Sequence, residues 1–176
     1  MDLNKAETVG AMLGRDFLTW LWYKSEKKDG FFRAGDGTDF IVYIAQKVTV
    51  ESGEDDSRDK TVSSGMMSEL REARLGLGSG KKVAQAMLRL EQDSNEWLVQ
   101  VNADDFSLSG LKTPKVDTKL EEGDDPDAPF LEKMYLVQKV QYFLDELFKQ
   151  FLKLRLHSDW SGEVAAVRRW AAANGD

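Results

Sequence analysis

Apolar residues recur along this chain in two rhythms, one near 3.6 residues and one of two, and the switches between them divide it into elements. In "LGRDFLTWLWYKSEKKDG", Leu13, Phe17, Trp20, Leu21 and Lys24 fall at helical spacing, and Lys27, Lys28 and Gly30 make a suitable helix end. The pattern predicts an amphipathic helix with a heavy aromatic face. Trp20 and Trp22 lie on different sides of it; packing of both in the core is the plain reading, and contact of one with a partner or loop is the alternative. The rhythm then changes. Gly35-Asp36-Gly37 separates two β-prone runs, which predicts a hairpin. Its long arm alternates Phe40, Val42 and Ile44 with Ile41, Tyr43 and Ala45, so a strand covered on both faces is expected.

Past a polar stretch, "SSGMMSELREARLGLG" reads as a short helix capped by Ser63 or Ser64, with Met66, Met67, Leu70, Ala73 and Leu75 on its apolar side. Ala86, Leu88 and Leu90 alternate with Gln85, Met87 and Arg89, Trp97, Val99 and Val101 alternate in turn, and "FSLSGLKTPK" supplies a further short run. These predict a three-stranded antiparallel meander. Asp127 can cap a long helix whose first turn holds Pro129. Phe130, Met134, Val137, Gln141, Leu144, Phe148 and Phe151 form its expected stripe, broadened by Val140, Phe143 and Leu147, so that more than one surface is needed to bury it. Val164, Val167, Trp170 and Ala171 make a last short helix, stopped by Asn174 and Gly175. The expected fold is α+β: an antiparallel sheet of hairpin plus meander, packed with amino-terminal and carboxyl-terminal helices. Residues 1–156 read as one domain and 157–176 as a helical extension.

Composition narrows the function classes. With no cysteine there is no disulfide, thiolate metal site or cysteine nucleophile, and a reducing cytoplasm is the expected compartment. Neither a secretory signal nor a membrane span is expected. The net charge of -7 argues against a uniformly basic nucleic-acid binder. Its acids, however, bunch in "VESGEDDSRD" and "LEEGDDPDAP", which read as solvated loops and leave room for a basic face elsewhere.

The stretch "REARLGLGSGKKVAQ" resembles a phosphate loop, but its spacing fails the Walker pattern: Leu75 stands where the first glycine belongs and Lys82 where the hydroxyl belongs. Because a helix precedes the glycines, Gly80 is expected as a helix terminator. Ser79 is only a partial echo of a nucleophile elbow, and His157, the single histidine, reads as a capping or surface residue. Asp117, with Asp104 and Asp105 upstream, is the nearest candidate for a magnesium-dependent nuclease site, yet it follows Pro114 in a polar connector, so convergence on a metal is not expected. Asp124, Asp125 and Asp127 read as loop acids. No catalytic, cofactor or metal site is therefore expected. Arg58, Lys60, Lys81, Lys82, Lys112 and Lys115 are the candidate phosphate contacts, provided that they converge on one side of the sheet.

The order of parts carries a resemblance. "SELREARLGLGSGKKVAQAMLRL", "EWLVQVNADDFSLSGLKTPK", an acidic connector and "PFLEKMYLVQKVQYFLDELF" together look like the carboxyl-terminal half of the RdgC family of recombination-associated proteins, over roughly residues 39 to 155. "GRDFLTWLWYKSE" resembles the segment that leads into this region in some members. The resemblance implies a homodimer that holds double-stranded DNA without sequence preference, restrains recombinase function and is associated with the nucleoid. Gly80-Lys81 matches the family's Gly-Lys, and Arg58-Asp59-Lys60 lies near a family Lys-Gln pair implicated in DNA contact. Relatives are often labelled exonucleases, which the residues here do not support. The family's amino-terminal half has no counterpart, the helix before Gly80 is longer, and the tail from His157 is extra, so a closed ring does not follow. The alternatives are an interaction or dimerisation domain without DNA binding, and a magnesium-dependent exonuclease.

Overall fold

The period-two runs become one antiparallel sheet, and the helical runs cover one of its faces. The computed structural model describes residues 3–51, 60–64 and 67–173. In chain order the elements are α1 (Leu3–Lys27), β1 (Phe31–Arg33), β2 (Asp39–Glu51), β3 (Lys60–Ser64), α2 (Met67–Gly78), β4 (Lys82–Gln92), β5 (Asn95–Asn102), β6 (Leu108–Lys112), α3 (Ala128–Arg155) and α4 (Trp160–Ala172). The strands lie in the order β1-β2-β4-β5-β6, with β3 paired to the second half of β2. The protein is therefore α+β, with a hairpin and a meander between helices at both ends of the chain.

Register fixes which side chains form the core. Val42 pairs with Leu90 and Leu90 with Trp97; Leu88 pairs with Val99, and Ala86 with Val101. All of these are buried. Over them lie α1 and α3. Phe143 of α3 stacks on Phe40 at 4.6 Å and meets Trp97 edge-on at 5.6 Å, while Phe151 packs against Phe17 and Trp20 of α1. The buried indole of Trp97 donates to the carbonyl of Leu136, so the large ring enters the core without an orphaned donor. Gly14 lets α1 come down on the end of β5: a Cβ there would stand 1.8 Å from the Ala103 carbonyl oxygen.

Several expectations shift. The first half of β2 is covered on one face, since Phe40 and Val42 are buried while Ile41 and Ala45 are half-buried and Tyr43 is exposed, whereas Val48, Thr49 and Val50 in its second half are all buried. Ser63 and Ser64 belong to β3, a strand the apolar pattern does not predict, where they pair with Val48 and Lys47. Asp127 does occupy the N-cap position of α3, with Pro129 just inside, but its side chain makes no cap hydrogen bond. The stripe of α3 is also rotated. Leu136, Val140, Phe143, Leu147 and Phe151 are buried, whereas Phe130, Met134 and Val137 face solvent. Trp20 and Trp22 are both buried, as the plain reading has it, and Trp170 and Ala171 of α4 join the same core. Among the described residues no helix is long and apolar enough to cross a membrane.

Candidate functional site

The candidate phosphate contacts begin at one end of the sheet. Antiparallel pairing sets Lys60 of β3 opposite Glu51 of β2, and Glu51 opposite Lys82 of β4, so segments distant in sequence meet in one row. Lys60 is described through its backbone alone, and Arg58 lies outside the described residues. The row is not a bare cationic edge. The Lys82 ammonium bonds the Asp16 carboxylate, which Arg155 Nε also approaches at 3.4 Å. Arg15 grips Asp104 with Nε at 2.7 Å and Nη2 at 3.0 Å, and its Nη2 reaches Glu51 at 3.2 Å. The Asp104 carboxylate, as a hydrogen-bond acceptor and then as a charge, is the main cause that raises the Arg15 pKa above its usual value. This end of the sheet is an ion-pair network close to electroneutral. Lys81, where β4 is entered, donates its backbone N–H to the Gly76 carbonyl at 3.1 Å.

Lys112 and Lys115 lie elsewhere. Lys112 pairs with Leu98, which pairs with Arg89, seven residues along β4 from Lys82. At strand rise that separation is about 23 Å. Leu98 is on the open face, whereas Lys82 reaches under α1. Lys112 and Lys115 are exposed, and Lys112 stands on the other face of the sheet from Lys82.

Further cations stand where the last turns of α1 meet α4 and the middle of α2. At the centre is Glu26, whose carboxylate accepts the indole N–H of Trp22 at 2.9 Å and that of Trp170 at 2.7 Å. Arg74 of α2 bonds Glu26 at 3.2 Å, donates to the Trp170 carbonyl at 2.8 Å and lies over the Trp170 ring at 4.5 Å. A second bridge, Lys24 to Glu163, also ties α1 to α4. Around this junction stand Lys27, beside Glu26, Arg71, one turn before Arg74, and Arg168 and Arg169, beside Trp170. All four are exposed and none has an acidic partner among the described residues. With Glu26 and Glu163 engaged by Arg74 and Lys24, these four cations are left without an ion pair among the described residues, as is the exposed Glu72 beside Arg71. Unpaired cations of this kind can hold a polyanion by its backbone without reading bases.

Catalytic geometry is not assembled from the other candidates. Asp104 is bound by Arg15, Asp117 accepts the backbone N–H of Lys119 at 2.9 Å, and Asp105 accepts that of Ser107 at 2.9 Å. The Ser107 hydroxyl, followed by its N–H, holds the Asp105 pKa below the usual carboxylate value. Among the described residues no three acids or histidines are grouped so as to hold a metal ion. Asp124 and Asp125 are exposed and bond backbone N–H groups within their own loop. His157 accepts the N–H of Asp159 through Nδ1 at 3.3 Å, at the junction before α4. Ser79 donates to the carbonyl of Gly76, and Gly80, at φ +94°, ends α2 before a strand rather than opening a helix toward a phosphate.

The sequence signal for the cationic junction is present but divided among three predicted helices: Lys27-Lys28, Arg71 with Arg74, and Arg168-Arg169. Nothing in their spacing says that these pairs meet. No family model, curated protein or solved structure matches the chain.

Proposed function

We propose that this chain is a sequence-nonspecific DNA-binding domain of recombination, resembling RdgC, and that the duplex backbone lies against the helical junction of α1, α2 and α4. The observation that supports this reading is the set of four exposed cations, Lys27, Arg71, Arg168 and Arg169, without acidic partners among the described residues, around Arg74. Phosphate binding needs cations that are not already neutralised, and Lys82 at the edge of the sheet does not meet that condition. The net charge of -7 opposes approach of a polyanion from other directions, so binding is weak and steeply salt-dependent.

The test is the anisotropy of a labelled random-sequence duplex over a salt series. Wild-type affinity falls linearly in log–log form, and Arg71→Ala with Arg169→Ala makes the slope shallower by about 1.8, close to 0.9 for each phosphate that is no longer neutralised. Lys112→Ala leaves it unchanged. Absence of binding at low salt, or a slope that responds to Lys112 and not to the arginines, would refute the reading.

A second reading, a protein-interaction domain, is favoured by a separate observation. The first turns of α3 carry Phe130, Leu131, Met134, Tyr135 and Val137 exposed to solvent. Apolar side chains gathered in this way are a common mark of an association surface.

A further inference from the structure

We infer that the free edge of β6 takes an extended segment of another protein as an added antiparallel strand, with acidic residues at that segment's amino-terminal end. The inference goes beyond duplex binding and stands without it. β6 closes the sheet: its five residues are all exposed, pair with β5 on one side, and meet no strand on the other side among the described residues. The outward N–H and C=O groups repeat at the strand spacing, and another extended backbone is what meets such a row in register. Gly110, at φ +60° and with nothing within 4 Å of where a Cβ would stand, leaves the middle of this edge bare.

The edge is also one wall of an apolar recess. Phe106, just before β6, lies against Phe148 of α3 at 5.1 Å, and Thr113, just after it, accepts a hydrogen bond from the Lys133 ammonium. β6 therefore runs beside α3, toward the start of that helix. The lengths agree, because Phe106 to Thr113 spans about 23 Å as strand and Lys133 to Phe148 about 22 Å as helix. Phe148 and Lys133 mark the flank of α3 that looks toward β6, and Val137 and Leu144 share it by helical phase. The opposite flank is closed, since Glu146 accepts the Gly35 N–H and Gln150 donates to the Arg33 carbonyl. On the strand, Leu108 stands opposite the buried Val101 and so turns to the helical face. Lys112 stands opposite Leu98 on the open face, which turns Leu111 toward the helices. Leu108, Leu111 and Val137 are 44%, 37% and 38% exposed. A strand added at the usual spacing of about 4.8 Å lays every second side chain along these residues.

Charge sets the partner's chemistry. Lys112, Lys115 and Lys133 are exposed at the Thr113 end of the edge and have no ion pair among the described residues. Acids of the connector that follows turn to its own backbone: Asp117 accepts the N–H of Lys119, Asp124 that of Glu121 and Asp125 that of Asp127. A lysine on an edge strand repels a second copy of that edge and attracts an acid, so the occupant is an acidic segment of a different protein.

The test is selection from a random dodecapeptide display library on the full-length protein, followed by anisotropy of the enriched peptides made synthetically. Enriched sequences are expected to begin with acids and then to alternate apolar residues. Leu111→Glu and, separately, Lys112→Glu each weaken their binding about tenfold with an unchanged melting temperature. Exchanging the peptide's acids for lysine restores binding to Lys112→Glu. N-methylation of alternate peptide amides abolishes binding in one phase and leaves it in the other, because an added strand turns every second N–H toward the edge. No enrichment overturns the inference, as do enriched peptides indifferent to Leu111→Glu and Lys112→Glu, or binding that ignores the phase of N-methylation. Both variants keep the wild-type salt slope for duplex, so failure here and failure of duplex binding are read separately.

Discussion

Gly14 lies inside α1, where glycine costs about 1 kcal/mol relative to alanine by propensity. An isolated helix would therefore be stabilised by Gly14→Ala. The chain is not free to take that gain, because the new methyl would stand 1.8 Å from the backbone oxygen of Ala103. Backbone cannot swing aside as a side chain can, so α1 must lift from the end of β5. Gly14→Ala is expected to destabilise the protein by about 2 kcal/mol, read as a lower melting temperature or urea midpoint. An increase would mean that α1 does not press on β5. Glu146 makes a different kind of residue-scale contact. Its carboxylate accepts from Lys149 at 2.8 Å and from the Gly35 N–H at 2.7 Å, pinning the β1–β2 turn to α3. Lys149 first, and then the Gly35 amide, hold its pKa below the usual value. A carboxyl with a depressed folded pKa contributes stability that is complete above its unfolded value, about 4.3, and is lost as pH falls through the folded one. The difference in melting temperature between wild type and Glu146→Gln should thus be constant near neutrality and shrink below about pH 4. A difference independent of pH would show that the carboxylate charge plays no part.

At the scale of elements, α4 behaves as part of the core. Trp170 meets Trp22 edge-on at 5.5 Å and Tyr23 at 5.6 Å, and the end of α4 lies against Gly78 at the close of α2. Trp170→Ala is expected to cost about 3 kcal/mol, and calorimetry of the full chain would register it as one lowered transition. An unchanged transition would make α4 an independent appendage. This packing also marks how far the sequence could be read. The meander was legible because β4 and β5 each bury every second residue against helices, so the period of two is written in Ala86, Leu88, Leu90, Trp97, Val99 and Val101. The phase of α3 was not, because Phe130, Met134 and Val137 are as apolar as the residues that are buried, and periodicity cannot say which of two apolar stripes meets the sheet. β3 was hidden for a related reason: "KTVSS" has one large apolar residue, and its pairing with β2 is a long-range event. At the candidate site, the cationic pairs were visible one helix at a time. Their meeting depends on Arg74 reaching Glu26 and the Trp170 carbonyl, groups 48 and 96 residues away in the chain.

For the whole molecule, the proposed duplex surface has a definite response to salt. Duplex binding exchanges condensed counterions for Lys27, Arg71, Arg168 and Arg169 and weakens as ionic strength rises. The helical junction around these cations carries its own optical signal. Two of the five tryptophans share the Glu26 carboxylate beneath one guanidinium. Undocking the tail would wet both indoles together and move their emission to the red, so attachment of the last helix can be followed by its native colour, with no label added.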